Sequence, residues 1–171
     1  MKKSILALFL GSAFLMACGG GEEKKSEETK PAGEQKTEEP AAPAEKQVVE
    51  LSIEANDQML FDKKSMEVPA GSHVKLTLKN VGKMPKESMG HNWTLLDQGV
   101  DMAKYAIAAV GAKDNDYQPA DMYADVIANT RTLGPGEEQT IEFDAPPAGT
   151  YQFLCTFPGH YGTMHGDFIV K

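Results

Sequence analysis

The sequence predicts an all-β sandwich with one short helical insertion, carried behind a leader and a polar tether. Three observations predict it. In Val74-Lys75-Leu76-Thr77-Leu78-Lys79 apolar residues fall on every second position, the period of a half-buried strand, and Ile141-Glu142-Phe143 and Tyr151-Gln152-Phe153 repeat it. Turn-forming clusters separate such runs at Pro69-Ala70-Gly71, Val81-Gly82-Lys83, Leu133-Gly134-Pro135-Gly136 and Pro146-Pro147-Ala148-Gly149. One Ala-rich stretch, Met102–Val110, breaks the pattern. Strands at this spacing fit an antiparallel sandwich or barrel. The 124 residues from Val48 to Lys171 are enough for a core that needs no disulfide.

Taken in order, the chain opens with Met1-Lys2-Lys3 and an apolar run from Ile5 to Ala17. A basic start followed by a short apolar segment reads as a secretory signal peptide over residues 1–17, too short for a membrane span of about 20 residues. The run ends in Leu15-Met16-Ala17-Cys18-Gly19, which resembles a bacterial lipobox and makes Cys18 the expected lipid attachment point. Acyl chains contribute about 0.8 kcal/mol per buried CH₂, so two or three would hold the protein on a membrane. The expected location is the periplasmic face of a bacterial membrane. Gly19, where some inner-membrane lipoproteins carry Asp, favours the outer one.

Residues 18–47 hold eight Glu, five Lys and three Pro, with no aromatic or branched aliphatic side chain before the strands begin. Such a composition cannot offset the entropy of ordering and is expected to be a disordered tether. Flexible-chain scaling gives it a reach of about 30 Å. The chain carries 17 Lys and Arg against 25 Asp and Glu, a net charge of −8. With no basic run, it offers nothing to a phosphate backbone, and nucleic acid is not an expected partner. Two cysteines exclude a multi-bridge scaffold and a four-thiolate cluster.

Within the domain, Val74–Lys79 is a strand. Asp101 can cap the Ala-rich helix, and Asp114–Asp121 returns as a loop. Further strands follow. The chemistry sits near the end, in Cys155-Thr156-Phe157-Pro158-Gly159-His160-Tyr161-Gly162-Thr163-Met164, with Met89-Gly90-His91-Asn92-Trp93 about sixty residues earlier. One thiolate, two imidazoles and a thioether form the donor set of a type 1 copper: His91, Cys155 and His160 around the ion and Met164 as a weak axial ligand. Cys155 ends a strand, a tight loop returns His160 to the same point, and Met164 follows at the next strand. A cage built this way changes little between Cu(I) and Cu(II), which an electron carrier requires. His73 and His165 read as solvated surface residues; on a strand His165 faces away from Met164.

At these residues the chain is identified as a member of the cupredoxin family of type 1 copper proteins, and within it resembles the azurins. The match covers most of residues 48–171 and includes Asn56-Asp57-Gln58-Met59-Leu60-Phe61, Val126-Ile127-Ala128 and Gly136-Glu137. With the lipobox and tether, it resembles the lipid-modified members. The resemblance implies an eight-stranded Greek-key sandwich with copper near one end. It implies a weak fifth contact from the Gly90 carbonyl and a hydrogen bond from Asn92 to the thiolate sulfur, which ties the two ligand segments together. It places Phe157 behind the ligands and, with Met59, Met84, Met89, Pro158 and Gly159, in an apolar docking patch around His160. Two departures stand out. The disulfide usual in azurins has no cysteine pair here. Asn80 occupies the place of the family's pH-responsive histidine, so the potential should lack that contribution.

The function expected is a monomeric one-electron carrier, exchanging electrons with redox proteins such as c-type cytochromes or reductases. The acidic domain would be steered to basic faces, and encounter would slow as salt rises. Copper storage or delivery is the alternative, distinguished by copper that a chelator removes readily. An enzyme of the multicopper oxidase or nitrite reductase kind needs a further metal site, and His73 and His165 are too few to build one.

Overall fold

Alternation is written into the strands of the first sheet. In a computed structural model that describes residues 46–171, strand β1 (Val48–Asn56) buries Ile53 and Ala55 while Glu50, Ser52 and Glu54 face outward. Strand β4 (His73–Asn80) buries Val74, Leu76, Leu78 and Asn80. These join β2 (Leu60–Phe61) and β7 (Glu138–Asp144) in a four-stranded sheet of order β2-β1-β4-β7. The second sheet has five strands in the order β3-β9-β8-β5-β6, formed by Ser65–Val68, His165–Val170, Gly149–Leu154, Thr94–Leu96 and Val126–Asn129. Nine strands thus stand where about eight were expected, the extra one being the two-residue β2. The predicted leader, Cys18 and the tether up to Glu45 lie outside the described residues.

The expectation of an antiparallel sandwich or barrel is met as a sandwich with five antiparallel strand pairings and is corrected at two. Strand β1 pairs with β4 in parallel, from Val48 opposite His73 to Ala55 opposite Asn80, and β3 pairs with β9 in parallel. The cause is a crossover. After β2 the chain leaves the first sheet, lays β3 along the edge of the second, and returns to place β4 beside β1. Parallel neighbours need such a connection, whereas a hairpin can only join antiparallel ones. Both alternations point to a shared core in which Trp93, fully buried, has its ring centroid 5.7 Å from that of Phe153, 6.1 Å from Phe143 and 6.3 Å from Phe168. Each fully buried side chain of this size contributes about 1.5–3 kcal/mol. The only cysteine among the described residues, Cys155, is free, so the domain has no disulfide of its own.

Helix α2 forms over Met102–Ala109, and the Asp101 carboxylate accepts from the Lys104 N–H at 3.0 Å, the cap the sequence predicts. It buries Ala109 in the main core, while Tyr105 and Ala106 make a small second apolar cluster with Leu96 and Leu154. A shorter helix, α1, spans Lys86–Met89. Two 3₁₀ turns, Lys113–Asn115 and Ala120–Asp125, overlap the two ends of the segment Asp114–Asp121 read as loop. Asp- and Asn-rich sequence carries no helical periodicity; short-range bonds close these turns, Asn115 N–H to the Ala112 carbonyl at 3.0 Å and Met122 N–H to the Pro119 carbonyl at 3.1 Å. Among the described residues no helix is long and apolar enough to cross a membrane.

His73 is not simply solvated. Its Nδ1 lies 3.0 Å from Asp144 Oδ1 and its Nε2 3.1 Å from Glu142 Oε2. Hydrogen bonds to Asp144 and then Glu142 hold its pKa above the ordinary histidine value.

Candidate metal centre

Strand β8 delivers Cys155 at its end, and the segment from there to Met164 folds back on itself. In Pro158-Gly159, Gly159 sits at φ +83° and the His160 N–H donates to the Phe157 carbonyl at 3.1 Å, the pattern of a type II turn. Met164 N–H then donates to the His160 carbonyl at 2.9 Å, and Cys155 N–H donates to the Met164 carbonyl at 2.9 Å. The loop closes through its own backbone. His91 comes from between α1 and β5, where it exchanges two backbone hydrogen bonds with Leu133, at 3.1 and 2.7 Å.

These elements bring three donor side chains together. One ligand atom each from His91, Cys155 and His160 lie within 4.8 Å of one another, and all three residues are buried. Cys155 Sγ is 3.6 Å from His160 Nδ1, and the two imidazole centroids are 5.0 Å apart. Met164 is fully buried in the same loop, and Gly90 is buried beside His91. Burial pushes both His91 and His160 down to about 4, so both imidazoles are neutral at neutral pH with lone pairs to offer. Burial pushes the Cys155 thiol up to about 12, opposed by backbone N–H groups of Asn92 and Phe157 that face the sulfur. A bound cation reverses that balance and favours the thiolate.

One observation tests whether a metal fits. Neither ring nitrogen of His91 has a hydrogen-bond partner, although the residue is fully buried. An imidazole left so would cost about 1–3 kcal/mol. A metal that accepts one lone pair, beside a thiol and a second imidazole, satisfies one nitrogen, and the backbone of Asn56 faces the ring to take the proton of the other. The donor set suits a soft or borderline ion and not a hard one that prefers oxygen.

A shell of buried polar groups fixes these donors. Asn92 Oδ1 accepts from the Thr156 N–H at 2.7 Å, while its Nδ2 donates to Thr156 Oγ1 at 2.6 Å and to the Asp116 carbonyl at 2.9 Å. The segments that carry His91 and Cys155 are therefore tied side chain to backbone. Phe157 packs 4.7 Å from the His160 ring and meets Tyr117 edge-on at 5.0 Å. Thr156, Asp116, Tyr117 and Gln118 escaped the sequence reading. Only Thr156, next to Cys155, had any local signal.

Gly90 tolerates nothing larger. A Cβ there would lie 2.7 Å from the Lys86 carbonyl oxygen, 2.7 Å from Thr132 Cγ2 and 3.1 Å from the Phe157 ring. Gly90→Ala is expected to destabilise the fold by about 1–3 kcal/mol, read as a lower urea midpoint. A midpoint equal to wild type would show that α1 yields freely.

The remaining predicted positions fall as follows. Met59 and Met84 are exposed, Met89 and Pro158 are half-buried, and Gly159 is exposed. The Met59 carbonyl accepts from Thr163 Oγ1 at 2.8 Å, and the Asp57 carboxylate accepts from the N–H groups of Lys83 and Met84, so both segments are tied near the loop. Asn80 is buried, donates to the Leu133 carbonyl at 3.1 Å and accepts from the Gly82 N–H at 2.9 Å. His165 begins β9 and is half-buried.

Residues 47–171 match the family described as copper binding proteins, plastocyanin/azurin family. The chain belongs to that family. Copper is accordingly the metal that both the family and the His-Cys-His donor set fit. Among curated plastocyanin/azurin relatives, azurin of Pseudomonas fluorescens biotype C is 35% identical over 127 residues, 71% of this chain and 97% of that one. Outer membrane protein H.8 of Neisseria gonorrhoeae is 41% identical over 118 residues, 67% of this chain. The chain spans only 63% of the length of that protein. Among solved structures, auracyanin from Roseiflexus castenholzii is 38% identical with a TM-score of 0.65, over 71% of this chain and 96% of that one. Auracyanin A of Chloroflexus aurantiacus, titled a "blue" copper protein, is 33% identical with a TM-score of 0.64, over 72% of this chain and 99% of that one.

Proposed function

We propose that the protein is a membrane-tethered one-electron carrier in which His91, Cys155, His160 and Met164 hold a single type 1 copper, with the Gly90 carbonyl as a weaker contact. The observation that carries this reading is the buried cluster of three donor atoms within 4.8 Å, one belonging to a fully buried imidazole. When bound, copper supplies a reversible Cu(I)/Cu(II) couple. The chain's residues do the rest. The backbone-closed loop and the Asn92–Thr156 tie hold the donors in one arrangement, so little has to move when an electron arrives. The fully buried sulfur and His91 are kept from water, and His160, 3% exposed, lies next to Phe157 at the centre of the patch.

Electrons then pass through the His160 edge to redox proteins such as c-type cytochromes or reductases that dock on Met59, Met84, Met89, Phe157, Pro158 and Gly159. The protein acts as a monomer and is not an enzyme. The Leu15–Gly19 motif and the likeness to a protein named for the outer membrane support a lipid on Cys18, at the periplasmic face of a bacterial membrane.

The absorption spectrum of the copper-loaded protein tests this. A strong thiolate-to-copper band in the red is expected, with copper retained against a chelator. A colourless Cu(II) form or a preference for zinc would sink the carrier reading. A coloured form that surrendered its copper rapidly would point to delivery instead.

A further inference from the structure

Gln118 lies between three buried hydroxyls and is itself 2% exposed. Its Oε1 accepts from the Tyr105 hydroxyl at 2.8 Å, and its Nε2 donates to Thr94 Oγ1 at 2.8 Å and to Thr156 Oγ1 at 3.3 Å. Thr156 follows Cys155 in the chain, and its hydroxyl and N–H are both engaged by Asn92, which follows His91. A continuous set of hydrogen bonds therefore runs from helix α2 through Gln118 to both segments that carry the metal donors. The backbone just before Gln118 is held in a costly form. Asp116 and Tyr117 stand at φ +50° and +59°, where residues other than glycine are uncommon. Such conformations persist when their surroundings over-determine them. Here the Asp116 carboxylate accepts from the Thr132 N–H at 2.9 Å, and its carbonyl accepts from Asn92.

We propose that Gln118 is a positioning residue for the metal centre. It clamps Thr156 against Asn92, and so fixes where the N–H groups around the Cys155 sulfur point. The inference rests on the copper reading above. Its physical basis is burial: in a low-dielectric interior, a side-chain amide bridging three hydroxyls has no water to exchange with, so the network has one satisfied arrangement. Groups that orient a ligand from behind in this way typically alter metal affinity by about 10–100-fold when removed.

Full-length Gln118→Met, close in shape but unable to bridge, is to be compared with Tyr105→Phe, which cuts the far end of the network and leaves Gln118 on Thr156. For Gln118→Met we expect three changes: about tenfold faster labelling of the Cys155 thiol in the metal-free protein, about tenfold weaker copper binding, and a shifted reduction potential. Tyr105→Phe should lose folding stability and move none of the three. The proposal is overturned if both variants lose stability alike while labelling, affinity and potential stay at the wild-type values. If Gln118→Met does not fold, Gln118→Asn keeps an amide too short to span Tyr105 and Thr156, and is read for the same two outcomes. Wild-type protein lacking the red band would refute the copper reading; thiol labelling would still decide the role of Gln118.

Discussion

Replacing Cys155 with serine is expected to abolish the red absorption of the copper-loaded protein completely while leaving the metal-free domain folded. The band requires a thiolate bound to copper, and Cys155 is the only thiol among the described residues. A serine hydroxyl is harder, does not ionise near neutral pH, and cannot replace a soft ligand. The fold has less at stake. Serine is nearly isosteric, and burying its hydroxyl costs about 1–3 kcal/mol, partly offset by the Asn92 and Phe157 N–H groups that already face this position. Copper titration followed by absorption, together with circular dichroism of the metal-free variant, separates the two effects. A Cys155→Ser protein that remained coloured would place the ligand elsewhere.

The metal-free protein is expected to lose stability steeply between about pH 6.5 and pH 4. Both site imidazoles have folded pKa values lowered to about 4 by burial. In the unfolded chain they return to about 6.5 and take up protons first. The unfolded state therefore binds more protons throughout this window, and stability falls with falling pH. One histidine alone gives a slope approaching about 1.4 kcal/mol per pH unit. The pair approaches twice that in the middle of the window, because repulsion between the two imidazoles once charged further lowers proton uptake by the folded state. His73 acts in the opposite sense: its folded value is raised, so its contribution is present below pH 6.5 and lost as pH rises through that folded value. Urea midpoints of the metal-free protein from pH 4 to 8 measure the balance. A flat profile between pH 7 and 4.5 would contradict it. Copper should flatten the acid limb until proton competition for the imidazoles releases the ion.

Legibility in the sequence followed physical lines. Strands β4, β7 and β8 were readable because one face of each is turned to the core, which imposes period two on residues such as Val74, Leu76 and Leu78. Helix α2 was readable from its composition and its Asp101 cap. The donors His91, Cys155 and His160 were readable because metal chemistry restricts residue type and spacing together. Strand direction was not, since a parallel and an antiparallel partner for β1 need the same alternation. Nor was the polar layer behind the site. Gln118, Thr94 and Thr156 are buried polar residues, and hydropathy assigns such residues to the surface; only the partners that satisfy them explain their place. The Asp116–Tyr117 turn was hidden likewise, because its strained backbone is maintained by Thr132 and Asn92 from elsewhere in the chain.

The position of β9 has a consequence for the order in which the molecule can assemble during synthesis. The sheet built from β2, β1, β4 and β7 needs nothing beyond Asp144 and can pair before the rest of the chain follows. The other sheet cannot. Strand β9 stands between β3 and β8, so β3 has no neighbour until His165–Val170 emerges. The loop that presents Cys155 and His160 is likewise open until Met164 and the strand behind it arrive. A nascent chain carries Cys155, the only thiol among the described residues, before Met164 and β9 have joined the cage around it. Closure of the site is thereby left to the last strand of the second sheet, and until it pairs Cys155 is least protected from the wrong chemistry.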